Sequence, residues 1–457
     1  MPPPCSLLPL VSQTTPVFSI APFRFDVTPP LNHALLGGLV MPAIGYDDSL
    51  EAIGYVLLGP ETPIVVCAVD WAGLMNDAHL AWRNALAEAA GTTPDRVAVH
   101  CVHQHNTPFA CPEARALAGK HKDLPEIFDP VFFETCLARG RAAIKTALTR
   151  LQPVTHVAHG ESIVHRVASN RRVARNAAGR VTTMRLSSCT DPKMRALPEG
   201  TIDPKLQTVA FFNGERKVVC CHYYATHPMS YYRDGRVSSD FCGLARKQRQ
   251  AEEPGCTHLY FTGCAGNVAA GKYNQGSPAD RVALTKRIHA GMRKSESKLR
   301  PRPLETVEWR TEEFRPPAAP TPTARTLAAQ LRQVTLPEVD RLLAAFRLAW
   351  LRRAKRGVPI VLSCLRLNRI SVLHLPGEIF VEYQLRAQSL GHGQPVATAA
   401  YGDDGLWYLP TKEEYPKGGY ENTVAFCSRK TDGLLTAALR RLLAPRFTPK
   451  YKMDRAT

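Results

Sequence analysis

The feature that most constrains the fold is a strand–helix–strand pattern over residues 64–103. Ile64–Val69 is a continuous apolar run, which is typical of a strand buried on both faces. A helix is expected to follow, with Asn76 or Asp77 as its cap and Gly91 as its terminator. Residues 96–103 are predicted to form the next strand. The pattern indicates a β-α-β unit and therefore an α/β protein.

Two histidines, His103 and His105, stand where the second strand is predicted to end. In an extended strand, side chains two residues apart share a face, so the two imidazoles are expected to lie together. Open α/β sheets bind their ligands at the carboxyl ends of strands, and imidazole is a common metal ligand. Because the chain has 15 histidines and such pairs also arise by chance, the remaining sequence has to decide whether they bind a metal.

Two later strands are also predicted to end at side chains that can bind a metal. Asn213 and Gly214 separate two apolar runs, which predicts a hairpin with a type I′ turn whose second strand ends at His227. Residues 370–375 are predicted to form a strand that leads through a Pro-Gly pair to Glu378. A histidine thus closes a second strand, and a carboxylate follows a third.

Charge and cysteine content restrict the classes of partner. Lys and Arg number 58 against 40 Asp and Glu, a net charge of +18 that favours anionic partners. No recognised nucleic-acid motif accompanies this charge, so nucleic-acid binding is not expected. The 13 cysteines lack paired C-x-x-C spacing, which indicates buried free thiols. Without an apolar stretch of membrane-spanning length or a secretory signal, the protein is predicted to be cytoplasmic.

Five blocks of sequence carry a family resemblance. In chain order they are Asp26-Val27-Thr28-Pro29 with the Gly pair that follows, His103-Gln104-His105, Ala225-Thr226-His227-Pro228, Leu375-Pro376-Gly377-Glu378, and the segment from Tyr408 to Glu421. Together they resemble the neutral/alkaline ceramidases, a family of zinc-dependent amidases. The resemblance covers nearly the whole chain and implies a mixed β-sheet core flanked by helices.

The resemblance implies one ceramidase-like catalytic domain over residues 23–445. A helical connector is predicted at about 324–356, with an irregular segment at 1–22 and a basic tail at 446–457. The family's C-terminal β-sandwich domain has no counterpart in the sequence. Recognition of a long-chain lipid and docking on a membrane are therefore not expected of this chain.

The resemblance also implies a ligand set. Carried over by position, the zinc ligands are His103, His227, Glu378 and Tyr408. In the family a second tyrosine, twelve residues beyond the ligand tyrosine, contacts the reacting group, and Tyr420 has this spacing. The donors suit Zn²⁺, since neutral imidazoles and a carboxylate are its usual ligands and the cation makes a phenol more acidic.

Further roles follow from the same resemblance. His105, the second histidine of the pair, is implied to hydrogen-bond the reacting groups. Asn170 and Arg171 match an Asn-Arg pair near the family's site, so Arg171 would hold a carbonyl, carboxylate or phosphate of the substrate. An arginine on the surface of a basic loop is the alternative for Arg171. His100 is predicted on the opposite face of its strand, as a structural residue.

The sequence departs from the family at one position of the site. The family's G-D-x-S turn ends in a serine that contributes to the active site, whereas this chain has Asn267 and Ala269 at the corresponding positions. A serine nucleophile is thereby excluded, which leaves hydrolysis by metal-activated water.

These residues predict a zinc-dependent hydrolase that cleaves an amide bond of an N-acyl amide or related small molecule, anionic or acylated. Two alternatives remain open at this point. One is a non-catalytic metal-binding protein that retains the ceramidase-like fold, and the other is a zinc esterase or lactonase, because fold and metal do not determine the scissile bond.

Overall fold

The computed structural model describes residues 18–445. The predicted basic tail at 446–457 lies outside this range, and a strand already begins at Ser19, inside the segment predicted to be irregular. The α-helices of the described range are α1 (Asp77–Ala90), α2 (Pro112–Ala118), α3 (Pro130–Leu148), α4 (Pro192–Ala196), α5 (Asp240–Glu252), α6 (Pro278–Glu296), α7 (Ala324–Arg332), α8 (Glu338–Lys355), α9 (Val381–Leu390), α10 (Tyr420–Thr423) and α11 (Thr431–Leu443).

Three sheets carry the long strands. The first sheet has the strand order Val97–Cys101, Ile64–Val69, Glu51–Leu58, Ser19–Asp26, Gln152–Pro153. The second sheet has the order Thr257–Thr262, Arg216–Tyr224, Lys205–Asn213, His156–Ile163, Arg302–Pro303. The third sheet has the order Val307–Phe314, Ile360–Leu367, Ile370–His374, Val396–Ala399.

Shorter elements connect these sheets. Two-residue strands pair Gly45–Tyr46 with Arg236–Val237, Gly73–Leu74 with Phe109–Ala110, Ser169–Asn170 with Val268–Ala269, and Glu378–Ile379 with Tyr408–Leu409, and Ala174–Arg175 pairs with Val181–Thr183. Single 3₁₀ turns cover Leu36–Gly38, Pro94–Arg96, Asp404–Leu406 and Tyr415–Lys417. No helix within residues 18–445 combines the length and apolar character needed to cross a membrane.

Each of the three large sheets contains one parallel strand pair, at one edge of the sheet. These pairs are Ile64–Val69 with Val97–Cys101, Arg216–Tyr224 with Thr257–Thr262, and Ile370–His374 with Val396–Ala399. All other pairings within the three sheets are antiparallel.

The three edge strands meet at their carboxyl ends. The amide of Cys101 donates to the carbonyl of Tyr401 over 2.8 Å, and the amide of Ala400 donates to the carbonyl of Thr262 over 2.9 Å. The Thr262 hydroxyl donates to the Val102 carbonyl over 2.7 Å, so the end of each edge strand is hydrogen-bonded to the ends of the other two. The residues that follow all three parallel pairs are therefore brought to one place.

The strand Ile64–Val69 is buried on both faces, as its apolar run predicted. Its alternate residues belong to two different hydrophobic clusters. One cluster packs the first sheet against α1 and α3, and the other lies between the first and second sheets. The predicted helix is confirmed as α1, with Asn76 at the cap position and Gly91 in the left-handed conformation at its end.

Two local predictions need correction. The strand predicted over residues 96–103 ends at Cys101. The Val102 amide still donates to the Val69 carbonyl over 2.8 Å, but the His103 amide donates to Trp71, beyond the end of the neighbouring strand, and His103 takes a positive φ of 76°. His103 and His105 therefore lie in a loop, and the shared strand face does not explain their proximity. The hairpin is confirmed, but Asn213 belongs to its strand and only Gly214 of the pair has a positive φ, so the turn is not type I′.

The interpretation of the cysteines as buried thiols is confirmed. Twelve cysteines fall within the described range, all of them free, and Cys189 alone among them is not fully buried.

Candidate metal centre

Three imidazoles meet where the parallel pairs end. The Nδ1 atom of His103 donates to the Ala72 carbonyl over 2.6 Å, and that of His227 donates to the Ala265 carbonyl over 2.8 Å. The Nδ1 of His105 donates to the His103 carbonyl over 3.2 Å. A neutral imidazole that donates from Nδ1 keeps a lone pair on Nε2. The ligand nitrogens of the three rings lie within 4.8 Å of one another.

Burial favours the neutral form of two of these rings, those of His227 and His105. Burial, assisted by the nearby Arg171 cation, lowers the pKa of His227 to about 4. Burial and the neighbouring imidazoles of His103 and His227 lower the pKa of His105 well below its usual value. Neutral imidazole is the form that binds a metal ion.

Glu378 faces the lone pairs of two of these rings. Its Oε2 atom lies 2.9 Å from the Nε2 of His227 and 3.3 Å from the Nε2 of His103. The Nε2 of His103 and the Oε2 of Glu378 are buried without a hydrogen-bond partner. Both rings donate from Nδ1, so in their neutral form their Nε2 lone pairs face this carboxylate with no proton between them.

A cation between these atoms would remove the repulsion between the acceptors. Ligand atoms that lie 2.0–2.2 Å from a tetrahedral Zn²⁺ are about 3.3–3.6 Å from each other. The 3.3 Å between His103 and Glu378 agrees with this spacing, and the 2.9 Å to His227 is slightly shorter. The donor types and the unpartnered atoms thus fit zinc.

The backbone around Glu378 determines where its side chain lies. Gly377 has a φ of 52°, and a Cβ at this position would lie 2.7 Å from the Trp407 carbonyl. Glu378–Ile379 then pairs in parallel with Tyr408–Leu409, with Glu378 opposite Tyr408. A Cβ on Gly266 would lie 2.2 Å from the Glu378 carbonyl, so a glycine is required there as well. The pairing brings the carboxylate and the phenol to one site.

Tyr408 lies beside the same Nε2 atom of His227 that faces Glu378. Its hydroxyl is 3.4 Å from the Nε2 of His227 and accepts a hydrogen bond of 3.1 Å from the Nη2 of Arg171. Burial raises the pKa of Tyr408 well above its usual value, although the Arg171 cation opposes this effect. Tyr408 is therefore a neutral phenol unless a bound metal cation lowers its pKa.

Arg171 is buried, so the surface alternative is wrong. The pairing of Ser169–Asn170 with Val268–Ala269 carries the chain into the interior, where Arg171 donates to the Gly266 carbonyl. Its Nε atom lies 3.3 Å from the Oε1 of Glu421. Burial opposes its charge, but Tyr408 and Glu421 outweigh burial and raise the pKa of Arg171.

Tyr420 stands at the solvent side of the site. It is 45% exposed, and its ring lies edge-on to Tyr408 with 5.8 Å between the centroids. The surrounding protein and the Glu378 carboxylate raise the pKa of Tyr420 to about 12. Tyr420 therefore presents a protonated hydroxyl beside the predicted ligands.

Comparison with known proteins identifies the fold. No protein-family model matches the sequence, and no curated protein matches it. Among solved structures, neutral ceramidase from Pseudomonas aeruginosa superposes with a TM-score of 0.69 at 16% identity, over 94% of this chain and 75% of that chain. A ceramidase complexed with C2 superposes with a TM-score of 0.68 at 14% identity, over 94% and 75%. The chain has a ceramidase-like fold.

The ceramidase-like fold confirms the resemblance and the predicted fold class. Within it, His103, His227, Glu378 and Tyr408 lie together although they are far apart in the sequence. Their binding of zinc stays a prediction. His100, predicted to be structural, lies away from the three imidazoles: its Nδ1 donates to the Ala400 carbonyl and its Nε2 lies 3.0 Å from the Nδ1 of His374.

Two aromatic residues of the candidate metal centre were missed. Tyr401 stacks on His103 with 4.4 Å between the ring centroids, and its hydroxyl lies 3.5 Å from the Nδ1 of His227. It follows the strand Val396–Ala399, so the strand-end rule that selected the histidines would have found it. Tyr232 contacts His105 edge-on at 5.2 Å, and no sequence pattern marked it.

The turn that lacks the family's serine is a structural element in this chain. Ala269 is fully buried and pairs with Ser169, whose hydroxyl donates to the Ala269 carbonyl over 2.8 Å. The side chain of Asn267 accepts from the Val381 amide and donates to Glu382, both over 2.9 Å. The turn therefore connects the second sheet to the helix that follows Glu378.

Buried histidines should make the metal-free fold acid-labile. Burial lowers the pKa of His79 and His227 to about 4 and that of His100 and His222 to about 3. The unfolded chain therefore takes up protons first, so the free energy of unfolding should fall as the pH drops from about 6.5 towards 4. With four such groups the slope reaches about 5 kcal/mol per pH unit at its steepest.

Urea unfolding of the chelator-treated protein between pH 8 and pH 5 measures this slope. The variant His100→Asn should reduce the number of protons taken up on unfolding by about one, and the slope falls in proportion. The variant His165→Asn, at an exposed position, should leave the slope unchanged. An unfolding free energy that stays flat from pH 6.5 to 5 would contradict the expectation.

Proposed function

We propose that this protein is a zinc-dependent hydrolase that cleaves an amide bond of an N-acyl amide or related small molecule. The observation that carries the proposal is that Oε2 of Glu378 lies against the Nε2 atoms of two imidazoles that donate from Nδ1, while Oε2 and the Nε2 of His103 have no hydrogen-bond partner. The ceramidase-like fold supports an amide as the scissile bond.

The proposed ligands are His103, His227, Glu378 and Tyr408. When bound, Zn²⁺ would polarise the substrate carbonyl and make water a nucleophile near neutral pH. Arg171 donates to the Tyr408 hydroxyl and so holds the phenol in place against His227. The carbonyl acceptors at Nδ1 hold the two histidine rings in the tautomer that a metal requires.

The proposed catalytic groups stand beside these ligands. His105 lies close enough to the other imidazoles to contact the reacting carbonyl and to receive or return a proton. The hydroxyl of Tyr420, protonated because its pKa is raised, would donate a hydrogen bond to the developing oxyanion. Because Ala269 has no hydroxyl, water rather than a side chain at that position is the proposed nucleophile.

Arg171 has little freedom to bind substrate directly. Its Nη2 donates to Gly266 and Tyr408, and its Nε faces Glu421. We therefore assign it mainly to positioning Tyr408. The net charge of +18 remains consistent with an anionic or acylated substrate.

Metal analysis followed by turnover assays tests the proposal. The double variant His103→Ala plus His227→Ala should lose one zinc equivalent, and no zinc in the intact protein would contradict the proposal.

A library of N-acyl amides with matched esters and lactones, assayed with and without chelator, identifies the scissile bond. Cleavage of esters or lactones alone would indicate a zinc esterase or lactonase. Zinc without any turnover would instead support a non-catalytic metal-binding protein, which is the alternative that the loss of the serine at Ala269 favours.

The variant Tyr420→Phe should retain zinc but lower kcat by about 10²-fold, since it removes one oxyanion donor. The KM should change little, because a ring of the same shape remains. The control is Tyr46→Phe at another partly exposed tyrosine, whose hydroxyl donates to the Pro29 carbonyl. A kcat equal to that of the wild type would remove Tyr420 from the mechanism.

A further inference from the structure

A second group of metal-binding side chains lies in the second sheet, at the opposite end of its parallel pair from His227. Cys220 and His258 are register partners on the two parallel strands. The ligand atoms of Cys220, His258 and Glu296 lie within 4.8 Å of one another, as do those of Glu253, Cys256 and His258. The two sets share His258, so together they form one cluster.

A chain of hydrogen bonds determines the tautomer of His258. The hydroxyl of Ser295 donates to the Met292 carbonyl over 2.8 Å, so Thr208, 2.5 Å away, must donate to Ser295. The Thr208 hydroxyl then has no proton for His222, and the Nδ1 of His222 donates to it over 2.9 Å. His222 is completely buried, and burial favours the neutral ring.

The next link in this chain leaves a lone pair inside the cluster. Because neutral His222 carries its proton on Nδ1, its Nε2 accepts from the Nδ1 of His258 over 3.1 Å. The Nε2 of His258, also fully buried, has no hydrogen-bond partner. It faces the Oε2 of Glu253 at 3.5 Å. In the neutral state of His258 two acceptors therefore face each other, and a cation would join them.

Each of the two sets contributes one thiol. Cys220 and Cys256 belong to a small buried cluster that is separate from the two main cores, whereas Cys221, the next residue, faces the core between the sheets. Two sulfurs, one imidazole nitrogen and one carboxylate oxygen form a donor set typical of tetrahedral zinc.

Charge around the cluster is balanced for such a cation. Lys217 contacts the carboxylates of Glu253 at 2.6 Å and Glu296 at 2.5 Å, and the Nε of Arg249 lies 2.8 Å from Glu296. The two carboxylates are thus neutralised by two basic side chains. Two thiolates, formed by loss of two protons, would neutralise one divalent cation.

We propose that Cys220, Cys256 and His258, with a carboxylate oxygen of Glu253 or Glu296, form a second site that binds zinc or another thiophilic divalent cation. The site is separate from the proposed catalytic centre and contains sulfur donors that the centre lacks. Because it joins the start of one strand to the ends of α5 and α6, its role is structural.

Cobalt substitution of the full-length protein under reducing conditions tests this site. Thiolate ligands give a sulfur-to-cobalt charge-transfer absorption that nitrogen and oxygen ligands do not, so the band reports this site independently of the catalytic centre. The band should appear in the wild type and persist in the variant His103→Ala plus His227→Ala. It should disappear in Cys220→Ala and Cys256→Ala.

The matched control is Cys221→Ala, which removes a buried thiol from the neighbouring residue and should keep the band. Zinc analysis should give two equivalents in the wild type and one in the His103→Ala plus His227→Ala variant. In that variant the unfolding temperature should rise with Zn²⁺ concentration. Absence of the charge-transfer band in the reduced, folded wild type would overturn the proposal, and would mean that only a proton joins His258 to Glu253.

Discussion

The variant Glu378→Gln is expected to stabilise the metal-free protein while it abolishes zinc binding at His103 and His227. In the wild type, Oε2 of Glu378 faces two imidazole lone pairs as a third acceptor. An amide nitrogen in that position would donate a hydrogen bond to each ring. Satisfying these buried acceptors should raise the free energy of unfolding by about 1–3 kcal/mol.

Turnover should change in the opposite direction. Loss of the anionic ligand removes the charge that a divalent cation requires, so kcat/KM should fall by about 10³-fold or more. Urea unfolding at pH 8 with chelator, zinc analysis and the amide assay measure the three effects. The control Glu382→Gln changes a neighbouring carboxylate that contacts Asn267, and it should retain zinc. A metal-free Glu378→Gln protein less stable than the wild type would contradict the assignment of lone pairs.

The variant Glu421→Gln is expected to destabilise the fold by about 3–5 kcal/mol, since it removes one partner of a buried ion-pair network. Glu421 is completely buried between two guanidinium groups, with Arg172 at 2.8 Å and Arg171 at 3.3 Å. A neutral amide would remove the negative charge that lies between the two buried guanidinium groups. Arg172 also donates to the Gly418 carbonyl over 2.7 Å, so the segment that carries Tyr420 should loosen as well.

Urea unfolding measures the loss of stability in Glu421→Gln, and the amide assay measures the effect of the loosened segment on turnover. The matched control is Glu413→Gln in the same segment, where the carboxylate is 55% exposed and lies 3.7 Å from Lys412. Exposed ion pairs contribute about 0–1 kcal/mol, so this control should behave like the wild type. Equal stability of the two variants would mean that the buried network does not hold the segment.

Local patterns were sufficient for the first buried strand, the helix that follows it and the hairpin. The helix α1 has Asn76 at its cap position and ends at Gly91, which takes the left-handed conformation, as its pattern predicted. Such elements depend on neighbouring residues, whose caps and periodicity are visible in the sequence. Strand ends were predicted less well, as His103 illustrates, because hydrogen bonds to distant residues determine where a strand stops.

The candidate site depended on two kinds of information. The strand-end rule and the family resemblance selected His103, His227, Glu378 and Tyr408, but neither establishes that these residues meet. Their convergence requires three separate parallel pairs to join at their carboxyl ends, through contacts such as that between Cys101 and Tyr401. No local pattern predicts a contact over that sequence separation.

By itself, the sequence determined the α/β class, the buried strand, the hairpin and the residue types that suit zinc, because these follow from periodicity and side-chain chemistry. Only the tertiary structure decided that Arg171 is buried, that Oε2 of Glu378 lies against two imidazoles and that the Nε2 of His258 is buried without a hydrogen-bond partner. Each of these depends on hydrogen-bond partners that are distant in the chain, and folding alone brings them within a few ångströms of one another.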